Sequence, residues 1–365
     1  MRLMLLIVAP IVICPIVSGC GGNISAPANA SPSIASANGA AFGAETARPF
    51  AYVGETCASG SSCPSPNGIV QMLDGRAITA DIDNPTTLAL DGFGNLYVGD
   101  TTASNEGDVS VYAPKSTKAL RILSGLIGVP RGLVANAAGR LFVVAQYLSG
   151  CCQIDGTGAI YPPGATEPRW NLKDLSGFAH SPVLDKFGNL YVANFDVYPG
   201  WVAIYARGRH VPSRIIHTGI GLPVQLAIAP NGDLVVANGL FDGHSDLLVY
   251  PAGKGTPSLT IVAGLRRANA VAVDADGNVY VANGDYKNVR GLITAYRHGQ
   301  TTVWRSISSG ITFPTALAFD GSGRLYVANA PRKGPDTIAV FAKGGSTPVR
   351  TYTLKEQFSA IAVPQ

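Results

Sequence analysis

The chain has 365 residues, of which 47% are hydrophobic and only 14% charged, with 27 basic against 23 acidic side chains. So even a balance, without a Lys/Arg cluster interleaved with aromatics, argues against a nucleic-acid partner. The 43 Gly and 25 Pro, set among many Val, Ile, Leu and Tyr, suit an all-β protein rich in turns, and one closed β domain can run this long.

Arg2 gives a minimal positive start, and residues 3–17 form an apolar run. The run is short for a membrane span and fits a secretory h-region. It ends in Val17-Ser18-Gly19-Cys20, which resembles the bacterial lipobox. The resemblance implies cleavage before Cys20 and a diacylglycerol on its thiol, so residues 1–19 read as a lipoprotein signal peptide. An ordinary secretory signal cut elsewhere is the alternative. Gly21, rather than Asp, follows the cysteine, which implies an outer-membrane or cell-surface anchor. Residues 20–48 are rich in Ala, Ser, Gly, Asn and Pro and read as a lipid-anchored flexible tether, because such a segment buries too little apolar surface to offset its ordering entropy.

Cys57, Cys63, Cys151 and Cys152 remain beyond the tether. Export favours disulfides over free thiols or metal ligation. A Cys57–Cys63 bridge would close a small loop and contribute about 2 kcal/mol. Cys151 and Cys152 are adjacent, and three pairings stay open. No His stands at ligand spacing from any of them, so zinc is not expected.

From residue 49 onward the chain repeats itself. Residues 271–283 read VAVDADGNVYVAN, and close variants begin at Leu88, Leu133, Pro182, Leu226 and Leu317. Self-similarity at a period of roughly 40–50 residues marks a propeller or a solenoid. Each unit opens with a β-branched run. An Asp-x-x-Gly turn follows, as at Asp91–Gly94, Asp185–Gly188, Asp274–Gly277 and Asp320–Gly323. There the Asp accepts backbone N–H groups ahead of it and Gly supplies the left-handed residue. A second run (LYVAN or similar) comes next, then a third ending in Tyr or Phe, and a fourth opening near Pro168, Pro212, Pro257 or Pro348. Proline at the start of an outermost strand blunts an exposed edge. Four antiparallel strands per unit make one propeller blade.

Six units are complete, and two fragments remain. Residues 359–363 (SAIAV) are a first strand without a second, whereas residues 51–53 (AYV) are a second strand without a first. Joined, they predict an all-β, seven-bladed β-propeller over residues 49–365 whose last blade is closed by the C-terminal strand. The alternatives are six blades with extra terminal strands, or an open solenoid, which would need polar capping units that the sequence lacks.

The x-x-D-x-x-G-x-L-Y-V-A-N pattern resembles the NHL and YVTN classes of extracytoplasmic propeller. That resemblance implies a cell-envelope location and leaves function open, since this fold carries many. Specific chemistry is expected in the non-repeating loops before the first strand and after the second. There Arg131, His180, Gln225, Arg267, Asn269 and Thr315 would ring a channel mouth suited to a polar or anionic small ligand. A second polar set, Asp100, Asn194, Asn238, Asn283 and Asn329, ends the second strands. In gluconolactonase-like propellers a Glu, Asn and Asp set at the pore holds calcium. Here a group repeated in nearly every blade is better read as capping the following loop by an Asx-type bond, so no cofactor is expected and calcium is the alternative. Resemblance to virginiamycin-lyase-type propellers would make His180 or His244 a base, without a matching Glu–His constellation. The favoured expectation is a monomeric, non-enzymatic scaffold binding a partner protein or polar small ligand at its mouth. A propeller hydrolase or lyase is the alternative.

Overall fold

A computed structural model describes residues 33–36, 50–56, 68–101, 107–149, 153–196, 198–240, 243–284 and 291–365. All regular structure among them is β-strand apart from turns. The strands form seven antiparallel four-stranded blades, one of which carries an additional parallel strand. Blades 1 to 6 each run in chain order from innermost to outermost strand, with innermost strands Pro85–Leu90, Val129–Ala135, His180–Leu184, Leu222–Ile228, Ala268–Val273 and Pro314–Phe319. Blade 7 joins the two ends of the sequence. Its innermost strand is Gln357–Val363, and Tyr52–Thr56, Gly68–Met72 and Ala77–Ile78 complete it. Val53 pairs with Ile361 and Gly54 with Ala360, so the seven-bladed closure expected from the two fragments is the observed one.

Local chemistry explains each hairpin. In blade 3, Asp185 Oδ1 accepts the backbone N–H groups of Phe187 and Asn189, both at 2.9 Å, and its Oδ2 accepts from the Asn189 amide at 2.8 Å and the Tyr191 hydroxyl at 3.3 Å. Gly188 closes the turn at φ +83°, where a side chain would be strained. Asp91, Asp274 and Asp320 repeat the arrangement. In blade 2, Asn136 stands in, accepting from Ala138 and Arg140. The third-strand tyrosines do a second job. Tyr161, Tyr205, Tyr250 and Tyr296 each donate to a backbone carbonyl of the loop that enters their blade. Pro348 opens its outermost strand, while Pro168, Pro212 and Pro257 lie two residues before theirs.

Second strands such as Leu190–Asn194 and Leu325–Asn329 are buried at every residue, because both faces meet a neighbouring blade. The core is therefore not one mass but a series of interblade layers. Leu133, Val143 and Tyr161 of blade 2 pack on Tyr97 and Val111 of blade 1, and Ile361 and Val363 of blade 7 pack on Tyr326 and Val340 of blade 6. Outermost strands are half exposed, as in Pro348–Thr353.

One strand lies outside this plan. Ser33–Ser36, within the segment expected to be a tether, pairs in parallel with the channel side of Gln357–Val363, with Ile34 opposite Ile361. It also approaches the innermost strands of blades 1, 2 and 6, so it lies in the central channel. The expected signal peptide and lipidation site at Cys20 fall outside the described residues, as do Cys57, Cys63, Cys151 and Cys152.

Candidate functional site in the central channel

The innermost strands share an irregularity near their start. In six blades one residue slips out of register with the second strand: Thr86, Arg131, Val224, Asn269, Thr315 and Ser359. In blade 3 the slip falls between His180 and Val183 and includes Ser181 at φ +48°. Such bulges re-aim side chains. Four of the six residues expected at the mouth, Arg131, His180, Asn269 and Thr315, thus occupy one structural ring.

Most of that ring ties blade to blade. The Thr86 hydroxyl donates to the Pro130 carbonyl of blade 2 at 2.8 Å, and the Asn269 amide donates to the Pro314 carbonyl of blade 6 at 3.0 Å. The Ser181 hydroxyl accepts from Leu226 N–H at 2.9 Å. One position further along, Gln225 Oε1 accepts from Val271 N–H of blade 5 at 2.7 Å. His180 directs both ring nitrogens at carbonyl oxygens, Phe178 at 2.8 Å and Val224 at 3.1 Å, so neither is turned towards a substrate. Thr315 reaches only its own blade, at the Ala328 carbonyl. Arg267 is exposed just before its strand. Arg131 differs from all of these. Its Nε is sealed from solvent with no acceptor, and burial pushes the guanidinium down to about 10.

The second recurrent set also has a structural task, but not the expected one. Asn194, Asn238, Asn283 and Asn329 accept, through Oδ1, the backbone N–H of Ser176, Gly221, Arg266 and Thr312. These residues belong to the loop that enters the blade, not to the loop that follows the second strand. The cap therefore reaches back 17 or 18 residues instead of acting as a local Asx turn. Asp100 accepts from Asp83 and Asn84 at 2.6 Å each, and Glu55 holds the equivalent place in blade 7, accepting from Lys355 and Glu356. Desolvation pushes Asp100 up to about 7, against the pull of its two N–H donors. Burial likewise raises Glu55. Among the described residues no three His, Cys, Asp or Glu side chains converge as a metal site.

A cavity of about 880 Å³ opens at the opposite end of the innermost strands, among the hairpin turns of blades 2 to 6. Leu226, Val271 and Leu317 give it apolar walls and Gln225 a polar one, and Arg140, Lys186, Arg207 and Lys343 contribute basic groups to its lining. Asp185, Asp274, Asp276 and Asp320 line it too, and the carboxylates of Asp185, Asp274 and Asp320 are engaged within the turns. Sequence reasoning overlooked this end because the turns repeat. The available signal was the variable basic residue within them, as at Lys186, Arg207 and Lys343.

No protein-family model matches the chain. No curated protein matches it. Solved structures do. A protein from Lactobacillus plantarum superposes with a TM-score of 0.64 at 17% identity, covering 86% of this chain and 98% of its own. Hydrazine synthase of Kuenenia stuttgartiensis gives 0.65 at 13% identity over 84% of this chain and 92% of its own. A putative 6-phosphogluconolactonase from Bacteroides uniformis gives 0.61 at 13% identity over 86% and 99%. At such identities the likeness is one of fold: the chain is similar to these β-propellers in architecture.

Proposed function

We propose that the protein is a lipid-anchored propeller of the NHL/YVTN type, exported to the cell envelope, which binds a polar small ligand or a partner protein at its channel without catalysing a reaction. The observation that carries this reading is the channel cavity, with apolar walls, the Gln225 amide and charged groups of both signs in its lining. Pockets that bind ligands pair an apolar lining with a few placed polar groups in this way. The groups that would serve an enzyme are otherwise engaged: His180 faces two carbonyls, and the second-strand amides hold the entering loops. Localisation rests on the lipobox resemblance at Cys20.

The test is a ligand screen by thermal shift on the soluble domain, with hits repeated on Lys186→Ala and Arg207→Ala. A ligand that stabilises the parent and loses affinity in both variants supports the reading, whereas turnover of a hit overturns it. The second reading, a propeller lactonase, is favoured by one observation, the Bacteroides uniformis neighbour. Its arm of the test is lactone hydrolysis followed by pH-stat.

A further inference from the structure

We infer that Arg131 forms an anion-binding site in the wall of the central channel, taking a small oxyanion such as a carboxylate or phosphate. The inference rests on reading the channel as a ligand site and adds the chemical class of what binds there.

Three observations carry it. First, every other polar member of the bulge ring except Ser359 makes a hydrogen bond, while Arg131 makes none among the described residues. Its Nε is sealed from water and has no acceptor. An N–H donor sealed from water without an acceptor is costly, and an anion whose oxygen reaches it removes that cost. Second, no carboxylate among the described residues pairs with Arg131. Burial is the only influence on the Arg131 titration, and the ring itself (Thr86, Arg131, His180, Val224, Asn269, Thr315 and Ser359) contains no acid. Third, two further buried donors without a partner among the described residues lie on neighbouring innermost strands. Thr87 Oγ1 in blade 1 and Ser359 Oγ in blade 7 are also buried without a partner, next in order around the channel to Arg131 in blade 2. The strand Ser33–Ser36 approaches these same three innermost strands.

Guanidinium geometry selects the ligand class. The planar fork of N–H donors matches a carboxylate or phosphate edge with two parallel bonds, and hydroxyl donors suit the remaining oxygens. Gly132 marks how tightly the next blade seals this point: a Cβ there would lie 2.3 Å from Pro182 Cδ. The residue after Arg131 is therefore fixed by packing.

The experiment is thermal unfolding and calorimetric titration of the full mature chain with inorganic phosphate and with malonate, at ionic strength held constant with potassium chloride. At least one anion is expected to raise the melting temperature saturably, and which one responds separates phosphate from carboxylate ligands. Arg131→Met should weaken that response roughly ten- to hundredfold. In chloride alone Arg131→Met should melt no lower than the parent, since a sealed donor without an acceptor is gone, and Arg131→Lys should keep a weaker response. Indifference of the parent to both anions overturns the inference, as does an Arg131→Met protein that responds like the parent or that melts well below it in chloride. A parallel arm with neutral sugars separates the two readings. Sugar binding that is lost in Lys186→Ala, with no anion response, overturns the anion class and keeps the channel as a ligand site; no binding in either arm overturns both.

Discussion

Asp100 and Asp108 are directly opposed across the second and third strands of blade 1, two acids where a sheet ordinarily separates like charges. Asp100 is 2% exposed and accepts two backbone N–H groups, while Asp108 Oδ1 is buried with no partner among the described residues. Desolvation raises both, each with help from the Asp83 carboxylate. A group whose folded value lies above its unfolded value stabilises most below the unfolded value, and that contribution is lost as pH rises through the folded one. For Asp100 the window runs from 3.8 to about 7. Stability should therefore fall between pH 5 and pH 8, by up to about 3 kcal/mol for this residue. Asp108→Asn should raise the melting temperature at pH 8 and flatten the profile. A profile that rises with pH would contradict the assignment.

Glu55 joins the ends of the chain. Its Oε2 accepts from Lys355 at 2.8 Å and Glu356 at 2.9 Å, some 300 residues away in sequence. Glu55→Ala takes the acceptor from both part-buried N–H groups, at a cost of about 1–3 kcal/mol. Glu55→Gln should cost less, since one acceptor oxygen survives. Deleting residues 358–365 removes Ile361 and Val363 from the layer against blade 6 and should abolish cooperative unfolding in a calorimeter. A truncated protein that melts like the parent would exclude the split-blade closure.

Turn carboxylates carry the repeat. Asp185 accepts four hydrogen bonds, including one from the buried hydroxyl of Tyr191. Asp185→Ala should cost about 2–3 kcal/mol, because it strands donors. Asp185→Asn should cost less, since Asn136 fills the same role in blade 2. Denaturant melts of the two variants make the comparison.

Targeting has its own test. Cys20→Ala should abolish incorporation of labelled palmitate and shift the protein from the membrane to the soluble fraction. Labelling that persists would place the processing site elsewhere.

The architecture was legible because it is written in short-range chemistry repeated at a fixed period. Asp185, Gly188 and Tyr191 lie within one hairpin, so their roles follow from spacing, and the unmatched runs at residues 51–53 and 359–363 could be completed only by each other. Arg131, His180, Asn269 and Thr315 differ between units, and the structure sets them at the bulges of their innermost strands. What each ring residue does was not readable. Partners 45 or so residues away in the next blade, as for Asn269 with Pro314, exist only once the blades are set side by side. Asn194 looked like a local cap and proved to reach back to Ser176, because the entering loop is carried to it by the tertiary structure. The cavity among the turns and the strand Ser33–Ser36 in the channel were likewise decided by closure of the ring, which gathers residues no local pattern connects.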